Sequence, residues 1–588
     1  MECPTCENRC SIPNGGSGVC GMYANHEGVI SERFPDQYLV MVPSAIESMP
    51  MLHYHPGSKF LQVCTIGCNF RCSGCVSWIL TESLVAIESA VRRTSPEDIV
   101  AKAMEENCRG VMFCFNEPAV SFPTFKRVAT LARSQGLLVG CATNGYFTET
   151  AFQELLQHID FINLGIKGCT DETYAQFGAT SASPMFRNLK ASFEYGVATE
   201  VAAVYVRGHE DELLETARRV AAVSRDIPFQ VMRFIPLGTA EASGEPSIRE
   251  AEHLCQQLGK LLKFVYLFNA PGTSFLDTYC PECGESVIQR GFNGPMCAHV
   301  SGYRDGGTCG CGHTLPVIGA FEKESGAQVL GFFGGYKTIS SLESIQTVLA
   351  FLGERRPEVV ASVLHQILET DFIKDLYART KTIDSYLDTV DHYAQLAGRT
   401  REAQELRIYI EDKVAFIREQ AKGADRPYVY FSLGHPLVAV FGDKFECNLV
   451  EIAGGCCANK DLLRDETPGV ALQDETLRQL DPDIILSSGG MGFPVEDVQA
   501  YCSHHHLDLK ASRGGRIHNL HPFPASGRPD WILGLMQMAN LIHPELFHFD
   551  MDRIGEDFYS RFLKVPFRAV RKSRSIPPAP TRLGSDGV

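Results

Sequence analysis

The chain has 588 residues, a formal net charge of −16, and 44% hydrophobic against 21% charged residues. One core rarely grows past about 250–300 residues, so several domains are expected, and the acidic balance argues against broad nucleic-acid binding. No apolar run reaches the ~18 residues of a membrane span.

The N-terminus has neither the basic nor the apolar region of a secretory signal. We therefore expect a cytoplasmic protein whose 22 cysteines serve as metal ligands and thiols, not as a disulfide framework.

Residues 1–50 are predicted to form an N-terminal metal-binding segment. Cys3, Cys6, Cys10 and Cys20 stand in a C-x2-C-x3-C-x9-C spacing, and glycines lie in the last loop. Four thiolates with tight glycine turns make a closed tetrahedral site. Zinc and an auxiliary iron–sulfur cluster both fit this spacing.

Residues 51–272 alternate short apolar runs with amphipathic stretches, which predicts βα units and a parallel sheet. One helix should begin after Ser95, with Pro96 in its first turn. Six or so such units predict a partial TIM-type barrel with its chemistry at the carboxyl ends of the strands. The predicted strands are 60–64, 110–115, 137–143, 161–167, 200–206, 229–234 and 264–267.

A C-x3-C-x2-C motif of Cys68, Cys72 and Cys75 directly follows the first predicted strand. Iron–sulfur clusters are usually held by four thiolates, so three ligands on one loop would leave one iron open to substrate. The alternatives are a zinc knuckle and chance clustering in a cysteine-rich chain. A zinc site normally takes four ligands with paired spacing, which favours the cluster.

Polar residues follow several of the later strands. Asn116 and Glu117 follow the second strand, Asn144 the third and Lys167 the fourth, while Arg233 ends a late strand. A carboxylate and an amide at this edge can bind an ammonium group. Taken singly, each motif also suits a capped turn or a solvated surface charge.

The order of these motifs resembles the pyruvate formate-lyase activating enzyme-like branch of the radical S-adenosylmethionine (SAM) superfamily, particularly its AmmeMemoRadiSam type, over residues 1–315. The resemblance implies a 4Fe-4S cluster that cleaves SAM to a 5′-deoxyadenosyl radical. It places Asn116 and Glu117 at the SAM amino end and Asn144 and Lys167 near the ribose and carboxylate, with Arg233 a further cofactor-binding candidate. Ala142 and Gly165 stand where activating enzymes tend to carry acidic residues.

Residues 273–315 are predicted to form a second auxiliary metal site. Cys280 and Cys283 form a C-x2-C pair, and Cys309 and Cys311 form a C-x-C pair. Paired knuckles resemble a zinc ribbon or an auxiliary Fe–S site, and Cys297 or His313 could substitute as a ligand. Such a site could be structural or could deliver electrons to the catalytic cluster.

The C-terminal half, residues 316–570, is predicted to be an α/β domain around a long helix from Thr400 to Lys422. Predicted strands are 358–362, 428–433, 484–487 and 516–520. The arrangement resembles the two-lobed class III periplasmic binding proteins, which bind cobalamin, siderophores, haem or metal ions. Ligand-facing candidates are 434–436, Cys447, Cys456, Cys457, 488–491 and 521–528, and residues 571–588 are predicted to be a disordered tail.

The sequence thus predicts a radical SAM enzyme that abstracts hydrogen from a bulky ligand, such as a tetrapyrrole, corrinoid or metallocofactor precursor, held by the C-terminal domain. An electron donor such as flavodoxin or ferredoxin is expected. One alternative is an activase or modifier of a partner protein. Another is a non-catalytic metal- or cofactor-binding sensor, which the intact cluster cysteines disfavour.

Overall fold

A computed structural model describes residues 1–82, 87–88, 90–236, 240–292, 296–322, 336–368, 380–440, 442, 444–462, 470–488, 494–524 and 527–572. The chain divides into two compact units. The first comprises Met1–Phe234 and Ile248–Ile339, and the second comprises Ile235–Ser247 and the described residues from Ser340 onward. No helix of this described part combines the length and apolar character needed to cross a membrane.

The first unit is built on an eight-stranded sheet flanked by helices. Its strands are β1 Tyr23–His26, β2 Val29–Glu32, β3 Gln37–Tyr38, β4 Val40–Ala45, β5 Lys59–Cys64, β6 Arg92–Arg93, β7 Gly110–Phe113, β8 Leu138–Thr143, β9 Phe161–Ile166, β10 Ala198–Tyr205, β11 Phe229–Arg233, β12 Val265–Phe268, β13 Thr278–Tyr279, β14 Ser286–Phe292 and β15 Ala298–Tyr303. Its helices are α1 Trp78–Glu82, α2 Pro96–Glu105, α3 Phe122–Ser134, α4 Glu149–Leu156, α5 Asp171–Gln176, α6 Ser183–Tyr195, α7 Glu210–Val223 and α8 Ile248–Leu258.

The large sheet has the order β12-β11-β10-β9-β8-β7-β5-β4, with seven parallel strands and the antiparallel β4 at one edge. The predicted partial barrel of βα units is confirmed, with strand ends within two residues of those expected from the sequence. Ser95 caps α2, since its hydroxyl accepts the Asp98 N–H at 3.1 Å, and Pro96 occupies the first turn. The carboxyl ends of the parallel strands therefore share one edge, as the polar motifs require.

The opposite end of this sheet is closed by a buried polar network. The carboxylate of Glu200, near the start of β10, accepts the backbone N–H groups of Leu52 and His53 at 2.7–3.0 Å. Arg290 of β14 donates to the Leu52 carbonyl at 2.7 Å. Burial raises the pKa of Glu200 and of the nearby Glu47 to about 7, and the Arg290 charge opposes both shifts. The small β13–β14–β15 sheet thus seals the base of the barrel.

The second unit contains a six-stranded sheet and a long helix. Its strands are β16 Tyr428–Ser432, β17 Val438–Ala439, β18 Cys456–Cys457, β19 Val470–Ala471, β20 Ile484–Ser487 and β21 Ile517–Asn519. Its helices are α9 Tyr336–Phe351 (whose first turn belongs to the first unit), α10 Pro357–Leu368, α11 Ile383–Ala397, α12 Thr400–Gln420, α13 Phe445–Ile452, α14 Asp474–Leu480, α15 Val495–His504, α16 Lys510–Arg513, α17 Trp531–Ile542, α18 Met551–Phe562 and α19 Phe567–Lys572.

The long helix and three of the four predicted strands of this half are confirmed, but the strand at 358–362 is wrong. These residues lie inside α10, which buries Val360, Val363, Leu364 and Ile367 along one side. Apolar residues at these intervals follow the helical period, and this packing overrides the strand preference of valine. Residues 573–588 of the predicted tail lie outside the described residues.

Candidate active site

The three cysteines of the C-x3-C-x2-C motif lie on the loop that leaves β5, at the carboxyl edge of the sheet, and all three are half-buried. Backbone N–H groups of Phe70 and Ser77 point at the sulfurs of Cys68 and Cys75, each at 3.4 Å. Burial, together with the charge of nearby Glu117, raises the pKa of Cys68 well above its ordinary value. A thiolate in such surroundings needs a bound cation to offset its charge, which a cluster iron would supply.

Asn116 holds the loop that carries these cysteines. Its side-chain N–H group donates to Thr65 Oγ1 at 2.8 Å and to the carbonyls of Ile66 and Gly67 at 3.0 and 3.3 Å. Its side-chain oxygen accepts the Thr65 N–H at 3.2 Å. The amide therefore fixes the three residues that immediately precede Cys68.

Glu117 is buried and ties its own loop to the next strand end. Its carboxylate accepts the Thr143 hydroxyl at 2.7 Å, the Asn144 N–H at 2.8 Å and the Ala119 N–H at 3.0 Å. Burial raises the pKa of Glu117, while these hydrogen bonds and the charge of Lys167 oppose the rise. The arrangement leaves a carboxyl group beside the cysteine loop, at the place where a ligand ammonium group is expected.

Asn144 connects that strand end to the cysteine loop. Its side-chain N–H group donates to Asn69 Oδ1 at 2.7 Å and lies 3.9 Å from the Cys68 sulfur. Asn69 stands within the cysteine motif itself, but no pattern in the sequence marks it as a residue of the site. Asn116, Glu117, Asn144 and Cys68 thus lie in one contiguous group of side chains.

Lys167 and Arg233 both lie at the carboxyl edge of the sheet. A Cβ atom built at Gly165 would lie at an ordinary contact distance of 3.6 Å from the Lys167 ammonium, so this ammonium lies beside the end of β9. Arg233 is fully buried at the end of β11, and its Nε–H donates to the Asn269 carbonyl at 2.7 Å. The predicted contacts of these residues with SAM stay predictions.

The N-terminal cysteines line one small cavity. Cys3 and Cys6 are buried, and Cys10 and Cys20 are half-buried. Ile12 and Tyr23 pack beside them. Four thiols around a shared cavity suit a metal or a cluster, and the metal site at these cysteines stays a prediction.

The second cysteine group is tightly clustered. The sulfurs of Cys280, Cys283, Cys309 and Cys311 all lie within 4.8 Å of one another. The sulfurs of Cys280 and Cys311 lie 3.7 Å apart, and those of Cys283 and Cys309 lie 3.3 Å apart. The C-x-C pair therefore completes a four-cysteine group, as a C-x2-C pair would. Cys297 and His313, the two alternative ligands considered from the sequence, do not belong to this group.

The ligand-facing candidates of the second unit are divided between its core and the ends of its strands. Cys447 and Cys457 are buried against each other, so their thiols belong to the core. His435 follows β16, and its Nδ1 accepts the Leu437 N–H at 3.1 Å. Residues 489–491, 525 and 526 lie outside the described residues.

Several solved structures resemble part of the chain. The chain is 18% identical to Helicobacter pylori CeuE with Ni(II) bound, covering 33% of this chain and 62% of that one, with a TM-score of 0.29. A periplasmic solute-binding protein of Veillonella parvula is also 18% identical, with coverages of 32% and 58% and a TM-score of 0.28. The chain thus spans about three fifths of each protein.

Sequence comparison identifies the chemistry of the first unit. Residues 63–220 match the radical SAM superfamily. An uncharacterised protein of Methanocaldococcus jannaschii, MJ0808, is 28% identical over 297 residues, which cover 49% of this chain and 87% of that protein. The matched range contains the cysteine motif together with Asn116, Glu117 and Asn144. Residues 63–220 therefore form a radical SAM domain, and this domain indicates a radical SAM enzyme.

Proposed function

We propose that Cys68, Cys72 and Cys75 hold a 4Fe-4S cluster and that the enzyme abstracts hydrogen from a bulky tetrapyrrole, corrinoid or metallocofactor precursor. The contiguous site formed by the cysteine loop, Glu117 and Asn144 carries the proposal. When bound, the cluster and SAM supply a 5′-deoxyadenosyl radical. The protein's own contribution is to hold the cysteine loop through Asn116 and to present the Glu117 carboxyl group to the SAM ammonium.

The second unit is proposed to hold the substrate. In open α/β sheets, ligands bind outside the carboxyl ends of the strands, where the strand order changes direction. Here β16 pairs in parallel with β18 on one side and with β20 on the other. Ser432 and Ser487, at the carboxyl ends of β16 and β20, both donate their hydroxyl groups to the Gly434 carbonyl at 3.4 Å, and His435 follows Gly434 in the chain. This edge carries the hydroxyl and imidazole groups that a polar cofactor precursor would contact.

The test of the catalytic proposal is anaerobic reconstitution followed by dithionite reduction with SAM and assay of 5′-deoxyadenosine. Wild-type protein should release 5′-deoxyadenosine. The rate of release should be at least about 100-fold lower in Cys72→Ala, because a cluster held by three cysteines is not retained when one of them is removed. Cys108→Ala, which removes a buried thiol away from the site, serves as the matched control. A fully loaded wild-type protein that leaves SAM intact would contradict the proposal.

We further propose that Cys280, Cys283, Cys309 and Cys311 hold one zinc ion. Tetrahedral zinc with bonds of about 2.3 Å places its sulfurs about 3.8 Å apart, close to the separations observed here. A four-iron cluster keeps its cysteine sulfurs farther apart, since each sulfur bonds outward from a different iron. Elemental analysis should find about one zinc per chain, which Cys283→Ala should remove.

A further inference from the structure

The N-terminal cysteine cavity shares a wall with the loop that carries the catalytic cysteines. Asn69, next to Cys68, lines the cavity together with Ala119 and Val120, which follow Glu117. Asn8 donates its side-chain N–H to the Asn69 carbonyl at 2.9 Å. The same Asn69 accepts from Asn144, so a single residue contacts both sites.

Further contacts fasten the N-terminal segment to this edge of the barrel. The Tyr23 hydroxyl donates to the Ala119 carbonyl at 2.9 Å. The Glu7 N–H donates to the Tyr146 carbonyl at 3.1 Å, and the Thr148 N–H donates to the Thr5 carbonyl at 3.1 Å. The segment thus packs against the two loops that bear Glu117 and Asn144, although it precedes the barrel in sequence.

The two auxiliary cysteine sites lie in different surroundings. The sulfurs of Cys280, Cys283, Cys309 and Cys311 lie within 4.8 Å of one another, a size that suits one ion. Cys3, Cys6, Cys10 and Cys20 instead line the cavity beside the catalytic loop, and four thiolates are the usual ligands of an iron–sulfur cluster.

The accessibility of the cavity also differs between its two sides. Its inner wall is Asn69 with the buried Cys3 and Cys6, whereas Cys10 and Cys20 are half-buried and the neighbouring Val19 is 64% exposed. A redox centre placed here would have one side next to the catalytic loop and the other side near solvent, where a protein donor can reach it.

We propose that Cys3, Cys6, Cys10 and Cys20 hold a second iron–sulfur cluster that relays single electrons to the catalytic cluster. A reduced donor of the flavodoxin or ferredoxin class loses one electron to the N-terminal cluster. That cluster then passes the electron to the catalytic cluster and returns to its oxidised state, so no proton or bond changes at the cysteines. The relay rests on the proposed function, whereas the binding of iron at this site does not.

The first test counts metals in the anaerobically reconstituted wild-type chain. Two four-iron clusters and one zinc ion predict about eight irons, eight labile sulfides and one zinc. Cys10→Ala/Cys20→Ala should fall to about four irons with its zinc unchanged, and Cys108→Ala should match the wild type. About four irons and two zincs in the wild type would overturn the proposal without any variant having to fold.

The second test compares electron sources. The rate of SAM cleavage with reduced flavodoxin, divided by the rate with dithionite, should fall at least about tenfold in Cys10→Ala/Cys20→Ala relative to the wild type. An unchanged ratio would overturn the relay, even with iron bound. If wild-type protein cleaves no SAM with dithionite, the proposed function fails instead, and the iron count still decides whether the N-terminal site holds a cluster.

Discussion

At the scale of single residues, the site is organised by side chains that hold its loops. Asn116 forms hydrogen bonds with all three residues before Cys68, and Glu117 accepts three bonds from its own loop and the next strand end. The sequence predicted which residues gather here, because they follow parallel strands. It could not predict the role of Asn69, since that role depends on contacts between distant segments.

Asn116→Ala should loosen the cluster. The change removes the hydrogen bonds to Thr65, Ile66 and Gly67, each contributing about 1 kcal/mol, so the cysteine loop loses its fixed conformation. We expect iron to be lost to a chelator several-fold faster than from the wild type. Gln135→Ala, at an exposed position beyond α3, should not change the rate, and equal retention in both variants would contradict this role.

His435→Gln should change how stability depends on pH. Burial, with a smaller contribution from His505, lowers the pKa of His435 to about 3. The stability that this neutral imidazole contributes is present above about pH 6.5 and is lost as the pH falls towards 3. Between pH 7.5 and 5, the unfolding free energy of the wild type should drop by about 2 kcal/mol more than that of the variant. Parallel pH profiles in urea denaturation would rule this out.

At the scale of elements, sequence periodicity predicted the barrel strands and the long helix closely, and its failures have physical causes. The apolar run at 358–362 suits a strand by composition, but its neighbours extend the pattern with helical spacing. The docking of the N-terminal segment on the loop after β8 depends on backbone hydrogen bonds across some 140 residues of sequence, which no local pattern encodes.

Arg290→Met should destabilise the first unit. The substitution removes the cation of β14 that faces the buried carboxyl groups of Glu47 and Glu200, and it leaves the Leu52 carbonyl without this donor. We expect a loss of about 3 kcal/mol in unfolding free energy. The loss should be greater at pH 8 than at pH 5, because both carboxyl groups have a pKa of about 7 and carry charge only above it.

Arg304→Met, directly after β15 of the same small sheet, provides the matched control. Arg304 is exposed and pairs with Glu285 at the surface, so its loss should cost less than about 1 kcal/mol. Equal destabilisation by the two substitutions would show that the buried network does not depend on Arg290.

At the scale of the whole molecule, the chain joins a radical SAM domain to a second unit with its own sheet and its own buried core. The sequence predicted a sheet and a long helix in that unit from strand and helix patterns alone. The identity of the ligand could not be predicted, because no sharp motif marks the strand ends of β16 and β20.

Binding of a bulky ligand to the second unit should be visible through Trp531. The chain has two tryptophans, so Trp78→Phe leaves Trp531, at the start of α17, as the remaining one. Hydroxocobalamin and protoporphyrin IX are the first probes, and saturable quenching by one of them in the full chain is the expected result. Trp531→Phe with Trp78 retained is the control. Absence of saturable quenching by any such compound would favour a protein substrate instead.

The most direct test of the central claim is the electron paramagnetic resonance spectrum of the reduced, reconstituted enzyme with and without SAM. Binding of SAM at the open iron held by Cys68, Cys72 and Cys75 should change the cluster signal, and Cys72→Ala should lose that response. A cluster signal that stays the same on addition of saturating SAM would contradict the account.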